Sequence, residues 1–217
     1  MPVGHLATVL VFLVAVTVVA ELADAAGVFD AAAHLAARLS GGRTLVLWAA
    51  LMALASAATI VFSLDTTAVL LTPVVLALCR QVDLPPLPFA LTTAWLANTA
   101  SLLLPVSNLT NLLSLHAVQG LGLSQLDFLR LTAGPTLAAI LATALVLVLM
   151  FARGLPRRFS PAAREGAPDR VLLGLSTAVC LALVPFFVAG VPVLYPTVPA
   201  AAILLVAFAV RRREALH

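Results

Sequence analysis

Long apolar runs recur along the whole chain, and each is close to the length that crosses a bilayer. They cover residues 5–26, 44–62, 128–151, 171–189 and 191–210. Because a helix of roughly 20 apolar residues spans the hydrocarbon core, these runs predict transmembrane helices. Residues 28–39 instead place Asp30, His34 and Arg38 at four-residue spacing on one helical face, which predicts a helix along the membrane surface.

Two polar interruptions divide the remaining apolar sequence. Residues 63–67 separate the run at 44–62 from a second arm at 68–79, and hydropathy leaves open whether 44–80 is a re-entrant hairpin or two spans. Residues 89–113 are interrupted at 98–101 and again at 105–108, where Pro105 lacks an amide donor and predicts a break. The pattern predicts an all-α polytopic membrane protein with about six to seven membrane segments, including a re-entrant helical hairpin and a broken helix.

Composition and charge agree with a membrane protein and assign its sides. Hydrophobic residues make up 63% of the chain, charged residues 10%, and the mean hydropathy is +1.14, which excludes an ordinary water-soluble domain. Every basic side chain other than histidine is Arg. By the positive-inside rule the Arg-rich loop 153–170 and the C-terminus are cytoplasmic, and counting crossings backwards puts Arg38, Arg43 and Arg80 on that side. We therefore expect a multi-pass protein of the inner (plasma) membrane that binds no nucleic acid.

Signals for an enzyme or a metal site are missing from the sequence. Cys79 and Cys180 lie in separate apolar segments without metal-ligand spacing, and neither a nucleophile elbow nor a phosphate-binding loop is present. The N-terminus lacks a basic region before its apolar run, so we expect it to be retained rather than cleaved as a signal peptide. We expect a chain that is not an enzyme and that holds no metal.

The chemistry of the two polar interruptions points to a binding site. Asp65 is a carboxylate between two apolar arms, a costly position that suggests function, although it could instead cap a helix starting at Thr66. A helix broken within the membrane leaves backbone groups without partners, and side chains or a transported solute can supply them. The alternative to a binding role for the polar residues at 98–111 is a structural role, in which they form hydrogen bonds between helices.

Two stretches carry a family resemblance: FSLDTTAVLLTPVVLAL at 62–78 and ANTASLLLPVSNLTNLLS at 97–114. They resemble the ion transporter superfamily that includes the arsenite efflux permeases and the citrate permeases. The resemblance implies secondary active transport, with proton-coupled arsenite efflux as the leading hypothesis and H⁺ or Na⁺ as the coupling ion in place of a cofactor. The implied substrate- and ion-binding residues are Asp65, Thr66, Thr67, Asn98, Thr99, Ser101, Ser107, Asn108 and Asn111.

This chain departs from the arsenite permeases in residue type and in length. Leu64 and Asn98 stand where the family usually has Asn and an acidic residue, so Asp65 is the one carboxylate left near the expected site. The family has two inverted repeats, whereas this chain has one hairpin and one broken helix. We assign 1–152 to a first-repeat transport unit, 153–170 to a cytoplasmic loop, and 171–217 to two further spans.

Alternatives remain open for the partners and for the function. The chain is expected to be a fragment, or to work as a homodimer or with a second half-transporter, and a cytoplasmic ATPase subunit is a further candidate partner. The rival substrates are carboxylates and other anions carried with Na⁺ or H⁺, so the expected ligand is a small inorganic or organic anion or oxyacid. A truncated or accessory protein of the lipid bilayer, without independent transport, is the alternative from another class.

Overall fold

The computed structural model describes residues 3–160, 169–189 and 191–214, and these residues are almost entirely helical. Within these ranges no β-strand forms, only an isolated bridge between Arg43 and Arg158. The predicted all-α class is confirmed. The helices are α1 (Val3–Ala25), α2 (Val28–Leu39), α3 (Thr44–Val61), α4 (Leu64–Thr66), α5 (Thr72–Gln81), α6 (Pro86–Thr99), α7 (Leu109–Gly120), α8 (Gln125–Phe151), α9 (Arg170–Ala189) and α10 (Leu194–Glu214).

Several helices are long and apolar enough to cross a membrane, as the sequence predicts. Among the described residues there are 5 such stretches, or 6 if the bent pair α1 and α2 counts as one span. Helices α6 and α7, with 14 and 12 residues, are individually too short, and together they form the predicted broken helix. The 5 stretches are Thr44–Val61, Leu64–Gln81, Gln125–Phe151, Arg170–Ala189 and Leu194–Arg211.

The chain divides into two compact units. The terminal unit comprises Met1–Val28 and Gly166–His217, and the central unit comprises Phe29–Glu165. In the terminal unit α1 packs against α9 and α10, and Phe12, Phe187 and Leu204 are buried there. Our assignment of a repeat boundary near residue 152 stays a prediction, and residues 161–168 of the predicted loop 153–170 lie outside the described residues.

In the central unit α6 lies in the middle and packs against α3, α5 and α8. Trp48 of α3 and Phe89 of α6 are fully buried, with ring centroids 5.9 Å apart. Helix α8 has an outer face of leucines at four-residue spacing, each more than half exposed: Leu137, Leu141, Leu145 and Leu149. Such a stripe would be unfavourable in water, but it matches the hydrocarbon of a bilayer.

The start of α3 and the segment after α8 lie at the same end of the central unit. The amide of Thr44 donates to the carbonyl of Arg157 at 3.2 Å, and the amide of Phe159 donates to Gly42 at 2.9 Å. Gly42 has φ +74°, a left-handed conformation that glycine adopts without strain, which allows the tight approach. This pairing agrees with the predicted placement of both Arg-containing loops on one side, and the identity of that side stays a prediction.

We predict that Thr92→Val weakens the packing of α3 against α6. The indole Nε1 of Trp48 donates to Thr92 Oγ1 at 2.7 Å, and both residues are buried, so valine would leave the indole N–H without its acceptor. The expected loss is about 1 to 2 kcal/mol in the free energy of unfolding, measured by titration of mixed micelles with a denaturing detergent.

Thr177→Val is the matched control, because the Thr177 hydroxyl donates only within its own helix, to the carbonyl of Leu173. A double-mutant cycle with Trp48→Phe isolates the contact, and purely additive effects of the two substitutions would contradict its contribution.

Candidate functional site

The first break in the helices lies between α3 and α4, at Phe62 and Ser63. Ser63 is extended, with φ −173° and ψ 167°, and its Oγ accepts the backbone amide of Thr66 at 3.1 Å. Ser63 is therefore the N-cap, a role for which serine is well suited. Our alternative that Asp65 caps this helix is wrong, because Asp65 already lies in the first helical turn.

The capping by Ser63 also corrects the predicted start of the second arm. The helical stretch begins at Leu64 rather than at residue 68, so the polar residues 65–67 are part of it. A carboxylate in the first turn of a helix interacts favourably with the positive end of the helix dipole. The helical conformation thus places Asp65 in the first turn, beside the capped start of this stretch.

A π-helical turn, Thr67–Leu71, joins α4 to α5. The amide of Thr72 donates to the carbonyl of Thr67, five residues back, and the Thr72 hydroxyl lies 3.3 Å from the same oxygen. Pro73 follows directly and has no amide with which to continue the α-helical ladder. Single π turns are rare and are frequent at functional sites, which makes this segment notable.

Threonine hydroxyls connect this region to its neighbouring helices. Thr67 Oγ1 lies 2.8 Å from Thr59 Oγ1 of α3, and Thr72 Oγ1 lies 2.8 Å from Thr93 Oγ1 of α6. Thr59, Thr67 and Thr93 are completely buried. The hydroxyls therefore hold the first break against α3 and α6 rather than facing solvent.

The second break separates α6 from α7. Two short 3₁₀ turns, Ala100–Leu102 and Pro105–Ser107, replace the α-helix there, and the second begins at Pro105 as the sequence predicts. Asn108 is extended and caps α7, its Oδ1 accepting the amide of Thr110 at 3.0 Å. The break is therefore an ordered structure with defined ends.

Asn111 braces the second break from within α7. Its side-chain amide donates to the carbonyls of Ser101 at 2.6 Å and Leu104 at 3.2 Å, and the Ser107 hydroxyl donates to Leu104 at 2.6 Å. The side chains of Asn111 and Ser107 are both buried. Because an unpaired buried carbonyl is costly, these bonds compensate for the helical hydrogen bonds that the break removes.

Helix α8 supports the same break from the other side. Thr132 Oγ1 lies 3.2 Å from the carbonyl of Leu103, and Thr143 Oγ1 lies 3.3 Å from Thr99 Oγ1. Thr132 and Thr143 are eleven residues apart, about three helical turns, so they share a face of α8. We did not predict that these residues support the break. Two threonines on one face of an apolar helix could have indicated a contact with a polar neighbouring segment.

The two breaks lie at the same level of the central unit. Helices α5 and α6 pack as an antiparallel pair joined by a short connection, and Thr72 and Thr93 are in contact. Asp65 is seven residues before Thr72 and Ala100 is seven after Thr93, which is about 10 Å along each helix in the same direction. Helix α3 also contacts both 3₁₀ turns. The polar ends of both breaks thus lie at one level, which we call the layer of helix breaks.

The predicted site residues separate into two groups in this layer. Thr66, Thr67, Ser101, Ser107 and Asn111 are buried and hydrogen-bonded within the protein. Asp65 and Asn98 are exposed, and Thr99 and Asn108 are partly exposed. Within the described ranges Asp65 forms no ion pair and no side-chain hydrogen bond. The exposed group is available to a ligand, while the buried group holds the breaks in shape.

Comparison with known proteins places the whole described chain in one family. Residues 3–217 match the family described as citrate transporter (CitMHS). No solved structure matches the chain.

Curated relatives share the name arsenical pump membrane protein. One from Escherichia coli is 32% identical over 192 residues, which is 83% of this chain and 44% of the relative. A second from Escherichia coli is 31% identical over 212 residues, covering 92% and 48%. One from Yersinia enterocolitica is 33% identical over 192 residues, covering 83% and 44%. The chain thus spans about half the length of these relatives.

We predict that Asn111→Ala destabilises the fold more than Asn98→Ala. Asn111 satisfies two carbonyls at the second break, whereas Asn98 is exposed and donates only to the carbonyl of Ala94 in its own helix. We expect Asn111→Ala to lower the free energy of unfolding by about 1 to 3 kcal/mol, and Asn98→Ala to change it by less than about 0.5 kcal/mol. Equal effects of the two variants in detergent-based unfolding would contradict the bracing role.

Proposed function

This chain belongs to the citrate transporter family, and we propose that it is a secondary active transporter that moves arsenite out of the cell in exchange for protons. The observation that carries the proposal is the layer of helix breaks, two breaks at one level with Asp65 exposed at one of them. Helix breaks expose backbone groups and polar side chains at one depth, which is how transporters build solute sites. The arsenical pump names of the relatives support arsenite as the solute.

The charges around the breaks favour a neutral solute. Arsenous acid is uncharged near physiological pH, and the exposed groups at the breaks are the neutral side chains of Asn98, Thr99 and Asn108 together with Asp65. The sequence contains no Arg between Arg43 and Arg80 or between Arg80 and Arg130. A neutral oxyacid needs no buried cation, whereas an anion would be repelled by Asp65 unless a cation lay between them.

Asp65 is the residue that we propose exchanges protons. It is the one carboxylate in the layer, and a carboxylate facing a translocation pathway can alternate between charged and neutral forms. Protons then serve as the coupling ion, with no cofactor, and the chain acts as a permease rather than an enzyme. Asn98, Thr99 and Asn108 would contact the solute, while Thr66, Thr67, Ser101, Ser107 and Asn111 position them.

A carboxylate permease driven by Na⁺ or H⁺ is the second candidate, because the family description is citrate transporter. In that mechanism the start of α7 would face the anion with its positive dipole end, and Na⁺ would lie on carbonyls at the breaks. An accessory or truncated membrane protein is the third candidate, because the chain spans about half of its relatives' length.

We further propose that the protein lies in the inner membrane, with residues 153–170 and the C-terminus in the cytoplasm. We propose that it functions as a homodimer, with a second half-transporter, or with an ATPase subunit.

We predict that this chain lowers arsenite accumulation in an arsenite-sensitive bacterial host, because it exports the solute. Accumulation of arsenite, antimonite and a dicarboxylate is measured in parallel, with and without an uncoupler that collapses the proton gradient. Uncoupler-sensitive loss of arsenite is the expected result. Selective transport of the dicarboxylate would favour the second candidate. If the protein is confirmed to be in the membrane and transports none of the three solutes, the third candidate is favoured.

We predict that Asp65→Asn removes the proton coupling. The amide keeps the shape of the side chain but cannot exchange a proton, so gradient-driven arsenite efflux should fall by at least about tenfold, equivalent to about 1.4 kcal/mol. Asp83→Asn is the matched control, because Asp83 lies in an exposed turn with φ +52°, a conformation that asparagine also tolerates. An active Asp65→Asn variant with unchanged pH dependence would exclude Asp65 from the mechanism.

A further inference from the structure

A second polar feature of the central unit lies outside the layer of helix breaks. A cavity of about 390 Å³ lies between the start of α3 and the segment that follows α8. Arg43, Arg157 and Arg158 line it, together with apolar side chains that include Leu45, Val46 and Leu155. Neither the proposed transport mechanism nor the helix breaks use these residues.

The three arginines are brought together by backbone hydrogen bonds. The bridge between Arg43 and Arg158, the bond from Thr44 to Arg157 and the bond from Phe159 to Gly42 fix the two segments side by side. Leu155 and Phe159 are buried and anchor the segment after α8. The arginines therefore form a built cluster rather than a chance approach of flexible loops.

This cluster has an excess of positive charge. Arg43 occupies the N-cap position of α3, where no side chain accepts the free backbone amides, so a cation lies at the positive end of an 18-residue helix. In the described part of the chain no acidic side chain forms an ion pair with Arg43, Arg157 or Arg158. The buried hydroxyl of Thr44 also has no hydrogen-bond partner among the described residues. Amides at a helix start and adjacent guanidinium groups together favour an anion.

The walls of the cavity indicate the kind of anion. Leu45 and Val46, which line it, are 52% and 41% exposed. A free inorganic anion gains nothing from such apolar surface, whereas a phospholipid has a phosphate next to an acyl chain. Arginine binds phosphate through paired donors, and basic pockets at the ends of membrane helices suit anionic headgroups.

We propose that Arg43, Arg157 and Arg158 bind the phosphate of an anionic phospholipid whose acyl chain lies against Leu45 and Val46. The site joins the first transmembrane helix of the central unit to the segment after the last one. The bound lipid would offset part of the positive charge of the cluster and hold these two segments at the membrane surface.

Native mass spectrometry of the 217-residue chain, purified in detergent, tests this proposal with phosphatidylglycerol and phosphatidylcholine as probes. Each arginine is expected to contribute about fivefold in affinity, so Arg157→Gln with Arg158→Gln should weaken phosphatidylglycerol binding about 25-fold. Arg43→Gln, on the other segment, should weaken it about fivefold. Arg153→Gln is the control, because it removes the same charge after α8 without lining the cavity.

Selective phosphatidylglycerol binding that falls in these variants and persists in Arg153→Gln would support the site. Equal binding of both lipids, or undiminished binding by the variants, would overturn it. Inorganic phosphate at millimolar concentration is added as a competitor. If it displaces phosphatidylglycerol and binds with an affinity equal to that of the lipid, the lipid assignment is overturned in favour of a free anion. Variants are compared after their size-exclusion profiles match that of the unchanged chain, and Arg43→Gln supplies an independent variant if the double substitution fails to fold.

Discussion

Backbone amides and carbonyls inside a bilayer must find partners within the protein, because the hydrocarbon offers none. Much of this chain meets the constraint with helices that contain no internal proline, such as α1 and α3. The central unit breaks its helices twice, at Ser63 and between residues 100 and 108, and each break releases backbone groups that must be satisfied. The hydroxyl and amide side chains of Ser63, Asn108 and Asn111 supply these partners. The position of the candidate site follows from this requirement.

Satisfying the breaks also determines which polar residues remain for a ligand. The side-chain amide of Asn111 donates to two backbone carbonyls, and the hydroxyl of Ser107 donates to one. Asp65 is exposed, and the side-chain Oδ1 of Asn98 has no intramolecular donor among the described residues. Polar side chains that brace the backbone and those that we propose for ligand contact thus occupy the same short segments, the first group buried and the second exposed.

The sequence was sufficient to locate the breaks but not to assign individual side chains. Apolar length predicted the helices, and Pro105 and the polar residues 63–67 predicted both interruptions. Serine, threonine and asparagine serve equally as ligands for a solute and as partners for a backbone carbonyl, so burial had to decide between these roles for Thr66, Ser101 and Asn111. The capping by Ser63 was missed because Asp65, two residues later, is an equally good capping residue type. The pairing of Arg43 with Arg158 depends on contacts between distant segments, which local patterns do not encode.

The π turn at Thr67–Leu71 has a further consequence for evolution and design. One additional residue in a helical turn rotates everything before it by about 100° relative to everything after it. The turn therefore sets the angle about the helix axis at which Asp65 is presented, independently of how α5 packs against α6. Removing a single residue there would take out the π turn and leave α5 in place, while rotating the carboxylate about the helix axis. An insertion or deletion in this segment therefore changes mainly the direction in which the Asp65 side chain points, and changes its distance along the helix axis much less.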